Sequence, residues 1–380
     1  MYVHSNEGER ICCMSTEETY VTDDTELNLQ KRWTSDYYKN IRTQFLNNEE
    51  PEICDKCFSL ERTGGTSDRM RFNNLYLEDL MPNVDTGNQY DAPFDLDIRP
   101  GNLCNLRCRM CGPVSSSQLQ KEAQENKSLS VILGNGNITT SDVLSRDENI
   151  EYILKHAEQS KRIKFLGGEP TIMPEVDKIL DILIERELFE TPLHFTTNCT
   201  NGNKRFIDKI QKFKNVSFNY SVDGVGKVVE YIRDPVKFNS INTNIQMYHN
   251  IAWYGQISYA LQAYNFFNLL DTVKWSKSIG IVTRPEILRT PEWASYRSIP
   301  LNIRKKRLEL MLKLPELTTG NHKDTVVPVL EQMLNDDIVY DVAKLARATK
   351  LYDKSRKQHI KDYVPEVWDF IKEDYDALQI

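Results

Sequence analysis

Three cysteines in GNLCNLRCRMCGP, Cys104, Cys108 and Cys111, are spaced CxxxCxxC, and the chemistry such spacing suits is metal ligation. A structural zinc site is closed by four ligands, so three thiolates would leave it incomplete. In a four-iron cluster each iron takes one external ligand, and three cysteines leave one iron open to bind something else. A second group stands upstream: Cys12 and Cys13 side by side, then Cys54 and Cys57 as CxxC in PEICDKC. Seven of the eight cysteines thus precede residue 112, too few for a disulfide scaffold in 380 residues and too clustered for an even scatter.

The elements that position the first group are short apolar runs: FDLDIR, IKFL at 163–166, LHFTTN at 193–198, VSFNYSV at 216–222, ISYALQAY at 257–264 and IGIVT at 279–283. Val176, Ile179, Leu180 and Leu183 at helical spacing, and Phe206, Ile207, Ile210 and Phe213 after them, place helices between strands. Six strands alternating with helices predict an α/β fold of repeated βα units around a parallel sheet. Ligands of such folds bind at the carboxyl ends of the strands, where Cys104 follows the first strand and Gly167, Gly168, Glu169 and Pro170 follow the second. Two glycines let the backbone approach a ligand, and Glu169 offers a carboxylate to an amine. The stretch LGNGNITTSDVLS, between those two strands, reads as an inserted loop.

The CxxxCxxC after one strand and GGEP after the next resemble the radical S-adenosylmethionine (radical SAM) enzymes over roughly residues 93–290. That resemblance implies a partial (β/α)6 barrel of the TIM type, a 4Fe-4S cluster on Cys104, Cys108 and Cys111, and S-adenosylmethionine on the open iron. It implies that Gly167, Gly168 and Glu169 position the methionine amino group. Asn198, Ser221 and Asp223 would contact its ribose and carboxylate. Met110 stands where the family usually has an aromatic residue near the adenine; a thioether is adaptable enough to fill that place. The implied chemistry is reductive cleavage of S-adenosylmethionine to a 5′-deoxyadenosyl radical that abstracts hydrogen from a substrate, with a flavodoxin or ferredoxin as reductant. Arg107 and Arg109 read either as softening the cluster's charge or as solvated loop residues.

The stretch from VHSNEGERICC to ERTGGTSDR resembles the twitch or SPASM-like modules that hold an auxiliary iron-sulfur cluster. It implies Cys13, Cys54 and Cys57 as ligands, with Cys12, a substrate atom or nothing as the fourth. Zinc and a redox pair are the other readings of this CxxC. Expected domains are therefore a cysteine-rich module at 1–85 with one helical stretch in WTSDYYKNIRTQFL and no core of its own, the barrel at 86–290, and a helical cap at 291–380. Val326, Val329, Leu330 and Met333, then Val364, Val367, Trp368 and Ile371, supply the cap's apolar faces. Cys199 reads as a buried structural thiol, and the six histidines as structural or surface groups.

Forty-eight Lys and Arg against 55 Asp and Glu, a net charge of −7, exclude a general nucleic-acid coat. The first fifteen residues lack the basic end and apolar run of an export signal, and no run of about 18 apolar residues suits a membrane span. A reducing cytoplasm is the expected location, and a peptide, protein side chain or small molecule the expected substrate. The rivals are a zinc- or cluster-stabilised binding protein without catalysis, and an electron carrier.

Overall fold

The computed structural model describes residues 2–4, 8–12, 14–15, 28–62, 64–84, 93, 95–134, 136–138, 144, 146–155, 157 and 161–379. Cys13, His156 and most of 139–145 lie outside the described residues, as do the side chains of 2–4, 8–10 and 77–84.

All six expected strands are present: β3 (Asp95–Arg99), β4 (Arg162–Phe165), β5 (Leu193–Thr197), β6 (Val216–Ser221), β7 (Tyr254–Leu261) and β8 (Val282–Ile287). They pair in sequence order and all in parallel. The last strand starts later than IGIVT suggests, because Ile279 and Gly280 end the preceding helix, with Gly280 at φ +75°. Two short strands not anticipated extend the other edge: β1 (Tyr2–His4) lies parallel to β3, and β2 (Gly8–Arg10) antiparallel to β1. Among the described residues β2 and β8 end the sheet without meeting, so the barrel is open.

Alternation along the strands sorts the chemistry. Leu96, Ile98, Ile163, Phe165, Leu193, Phe195, Phe218, Tyr220 and Ile257 are buried against helices on the outer face. The register sets Phe165, Phe195 and Phe218 side by side, stacked at centroid distances of 5.4 and 5.6 Å, and Tyr248 of the helix Phe238–Ile251 stacks on Phe218 at 5.0 Å. The residues between them point into the barrel: Asp95, Asp97 and Arg99 on β3, Lys164 on β4, His194 and Thr196 on β5, Asn219 and Ser221 on β6.

The 133–145 stretch read as an inserted loop lies largely outside the described residues, but the connection between β3 and β4 is not irregular throughout. Helices Ser117–Glu125, Ser130–Leu133 and Asp147–Lys155 occupy it, and the last packs Ile150, Ile153 and Leu154 into the main core. Nor is the segment before β3 without buried residues. Tyr38 and Ile41 of the helix Asp36–Leu46, and Cys57 and Phe58 of the helix Asp55–Arg62, are buried, while Leu29 joins the main core and its N–H donates to Asn149 Oδ1 at 2.9 Å. Past β8, the helices Leu301–Met311, Lys323–Leu334, Val342–Arg356 and Pro365–Ala377 build a second core on Tyr231, Tyr259, Leu261 and Tyr264.

Phe218→Ala should destabilise the protein by about 3–5 kcal/mol, since it empties the middle of this aromatic stack. Urea denaturation followed by circular dichroism reads the shift; a loss below about 1 kcal/mol would mean that the stack closes around the gap.

Candidate active site

The cysteine loop leaves β3 at Pro100 and is tied in place by its own polar groups. Asn102 Nδ2 donates to Pro113 O at 2.9 Å and to Gln120 Oε1 at 2.8 Å, and Ser116 Oγ donates to Leu106 O at 2.7 Å. From the barrel side, Arg107 N donates to Asp234 O and Arg109 N to Ile232 O at 2.6 and 2.8 Å. The result brings Cys104, Cys108 and Cys111 onto one cavity of about 280 Å³ at the carboxyl ends of β3–β6. Met110, Gly167, Gly168, Asn198 and Ser221 also line it.

Glu169 and Asp223 do not line this cavity. Glu169 is fully buried: Oε1 accepts from Thr171 N, Thr171 Oγ1 and Thr197 Oγ1 at 3.2, 2.6 and 2.7 Å, and Oε2 from Asn198 N at 2.6 Å. Burial pushes its pKa up while these bonds pull against the shift. Asp223 is also fully buried, with Oδ1 accepting from Ala260 N at 2.7 Å and Oδ2 paired with Arg233 Nε at 2.7 Å. Both carboxylates brace the wall from behind. The glycines serve a second purpose besides the expected one. A Cβ on Gly168 would stand 2.2 Å from Leu103 O, and Gly168 N and Glu169 N donate to Gly101 O and Leu103 O, so the GGEP turn interlocks with the cysteine loop.

A cluster fits what the donors and the wall provide. Burial pushes the Cys104 thiol up to about 11, and Cys108 and Cys111 upward too, so metal must displace their protons. Two donors face the sulfurs: Arg233 Nη1 lies 3.8 Å from Cys108 Sγ and Asn198 Nδ2 3.9 Å from Cys104 Sγ. Thr196 Oγ1, in the same wall, is buried with no hydrogen-bond partner, as expected of a group that faces a ligand. Arg233 and Thr196 were not singled out from the sequence. Thr196 lies in the quoted FTTN run, two positions before Asn198, and period-two alternation places both on one face.

Arg107 and Arg109 are not solvated loop residues. Arg107 pairs with Asp234 Oδ2 at 2.5 Å, and Arg109 is fully buried with Nη2 2.8 Å from Asp353 Oδ1. Cys199 is buried with Sγ 3.5 Å from Thr197 O, in keeping with a structural thiol.

A second cavity, of about 320 Å³, brings together Cys12, Cys54 and Cys57 with Asp68 and Arg69, and its far wall is formed by Asp95, Asp97, Arg162 and Lys164 of β3 and β4. Burial pushes Cys54 up to about 11 and raises Cys12. Asp97 faces this cavity and Arg99 the first, two residues apart on one strand, a separation of about 7 Å.

His194 stands beside Lys164 in the sheet register and lines neither cavity. Ser217 Oγ donates to Leu193 O at 3.3 Å, so at 2.9 Å it accepts from His194 Nδ1–H. The Nε2 lone pair is left buried and without a partner, as is Arg162 Nε on the neighbouring strand. The remaining described histidines are structural or surface groups, His322 Nε2 accepting from Thr283 N at 3.0 Å among them.

Residues 98–255 match the model of the Radical SAM superfamily. Among solved structures, Streptococcus suis SuiB bound to S-adenosylmethionine is similar at 16% identity and a TM-score of 0.42, covering 77% of this chain and 61% of that one. Native anSMEcpe with bound AdoMet is similar at 17% identity and a TM-score of 0.42, with 57% and 59% covered. SuiB bound to precursor peptide SuiA follows at 14% identity and a TM-score of 0.41, with 89% and 72% covered. The chain spans about three fifths of the length of the first two. None of the curated proteins compared with this chain matches it. No helix among the described residues is long and apolar enough to cross a membrane.

Desolvation, with Arg162 and Lys164 nearby, lowers the His194 pKa to about 3 from 6.5. Below pH 6.5 the unfolded chain takes up a proton that the folded chain refuses. This stabilising contribution is therefore complete above pH 6.5 and lost as pH falls toward 3, at about 1.4 kcal/mol per pH unit. His194→Gln should flatten the stability profile between pH 6 and 5 by about that slope in urea titrations. Equal slopes in the two proteins would mean that the imidazole is hydrated.

Proposed function

We propose that this protein is a radical SAM enzyme whose 4Fe-4S cluster is held by Cys104, Cys108 and Cys111, and that Cys13, Cys54 and Cys57, with Cys12 as a candidate fourth ligand, hold an auxiliary iron-sulfur cluster. The observation that carries the reading is the convergence of three thiols, two sulfur-facing donors and an unpartnered hydroxyl on one cavity. Bound there, the cluster and S-adenosylmethionine supply a one-electron reductive cleavage that yields a hydrogen-abstracting 5′-deoxyadenosyl radical.

The chain's own residues do the rest. Arg233, anchored by Asp223, places positive charge beside Cys108 and offsets the charge of thiolates in a low-dielectric wall. Glu169 fixes the end of β5, and so the direction in which Asn198 and Thr196 face. The polar inner face of the barrel is the substrate-facing wall in this proposal. Its unpartnered atoms ask for a substrate with both donors and acceptors: His194 Nε2 accepts an N–H or O–H, while Arg162 Nε donates to a carbonyl or carboxylate. An amide group satisfies both, which favours a peptide or protein side chain over an apolar metabolite. A small flavodoxin or ferredoxin is the reductant of this proposal.

Anaerobic reconstitution should load about eight irons per chain, four for each cluster, with matching acid-labile sulfide. Dithionite and S-adenosylmethionine should then release 5′-deoxyadenosine. Replacing Cys104, Cys108 and Cys111 with Ala should remove half of the iron and all of the release, whereas Cys54→Ala with Cys57→Ala should remove the other half of the iron. A full central cluster that releases no 5′-deoxyadenosine overturns the proposal, and zinc without sulfide would leave a binding protein in its place.

A further inference from the structure

The middle of the cysteine loop is held from the far end of the chain. Arg109, between Cys108 and Cys111, turns away from the cavity and is fully buried. Its Nε donates to Tyr231 O at 2.9 Å, its Nη2 to Asp353 Oδ1 and Gln358 Oε1 at 2.8 Å each, and the guanidinium lies 3.6 Å from the Tyr231 ring centroid. Asp353, on the helix Val342–Arg356, is 1% exposed and fully engaged: Oδ1 also accepts from Tyr231 OH at 2.7 Å, and Oδ2 from Ile360 N and Tyr375 OH at 2.9 and 3.2 Å. A parallel tie runs beside it. Gln358 Nε2 donates to Asp234 Oδ1, Asp234 Oδ2 accepts from Arg107, and Arg356 pairs with Glu122 at 2.9 Å.

We infer that Asp353 is a positioning residue for the cluster: through Arg109 it holds Cys108 and Cys111 in the geometry that retains iron. A charge buried this deeply stays only where its counter-charge is fixed, so the loop's middle follows the C-terminal helix. Groups that orient metal ligands from behind commonly change metal affinity by about 10- to 100-fold when lost. The inference rests on the reading that Cys104, Cys108 and Cys111 hold a 4Fe-4S cluster.

The test uses the full chain carrying Cys54→Ala and Cys57→Ala, so that all bound iron belongs to the central site, and follows iron remaining per chain during anaerobic challenge with EDTA. Asp353→Asn keeps the shape and removes the charge; it should lose iron about tenfold faster than its parent. Gln358→Ala removes a second acceptor from Arg109 without leaving a new buried charge, and should speed the loss a few-fold even if Asp353→Asn fails to fold. Tyr375→Phe removes a bond to Asp353 on the side away from Arg109, and should lower the melting temperature while leaving iron release unchanged. Parental release rates in both Asp353→Asn and Gln358→Ala, or in Gln358→Ala alone where Asp353→Asn does not fold, overturn the inference. Equal acceleration by Tyr375→Phe also overturns it, because the role is then general stability. A parent that never binds four irons overturns the underlying reading instead, and this inference with it.

Discussion

The site depends on a single buried carboxylate. An ionised group taken out of water is costly unless its lone pairs are filled, and Glu169 fills its own with four donors, two from Thr171 and two from the end of β5. Those bonds set the path of the GGEP turn. Once that path is set, Gly168 N and Glu169 N reach the carbonyls of Gly101 and Leu103, and the cysteine loop is registered against β4 before Cys104 begins. A side chain on Gly168 would collide with Leu103 O, so the close approach of two backbones here excludes every residue with a Cβ. The loop's far side is registered separately, by Arg107 N and Arg109 N on the 232–234 segment. Three thiols on one loop come to line one cavity because both flanks of the loop are held.

Alternation in the strands then separates two tasks that the same residues could not perform together. The outer row is apolar and aromatic, and buries the sheet under its helices. The inner row is polar and charged, with Lys164 3.6 Å from Asp97 and Arg162 2.7 Å from Asp95. An interior lined this way does not collapse into a packed core, because its ions and dipoles need partners or water. What remains is a polar inner row that contributes to both cavities, Asp97 and Lys164 to one and Arg99 and Thr196 to the other.

Much of this was legible in the chain. The six strands follow from short apolar runs, and period two places Leu96 with Ile98 outside and Asp97 with Arg99 inside. The grouping of the central cysteines is legible because Cys104, Cys108 and Cys111 lie within eight residues of one another. Strands β1 and β2 were not, since three residues show no periodicity and a strand on an edge is defined by its neighbour. Acidic residues in GGEP and SVDG read as ligand contacts because a carboxylate's type is visible while its burial is not; both turn out to face Thr171 and Arg233 instead of the cavity. Arg109 looked like a loop arginine because its partner lies 244 residues further on, a pairing that local pattern cannot carry.

Met110 shows why the C-terminal helices belong to the same physical unit as the barrel. It is half-buried, lines the cavity, and packs against both the barrel core and the core built by the C-terminal helices. Its neighbour Arg109 enters the second core outright and stacks on Tyr231. A rigid aromatic ring at position 110 would have to satisfy the cavity and two cores at once, whereas an unbranched thioether adapts its rotamers to all three. The loop that carries the cysteines is thus a seam between two packed layers, with Arg109 drawn into one and Cys104 and Cys108 packed beside the other.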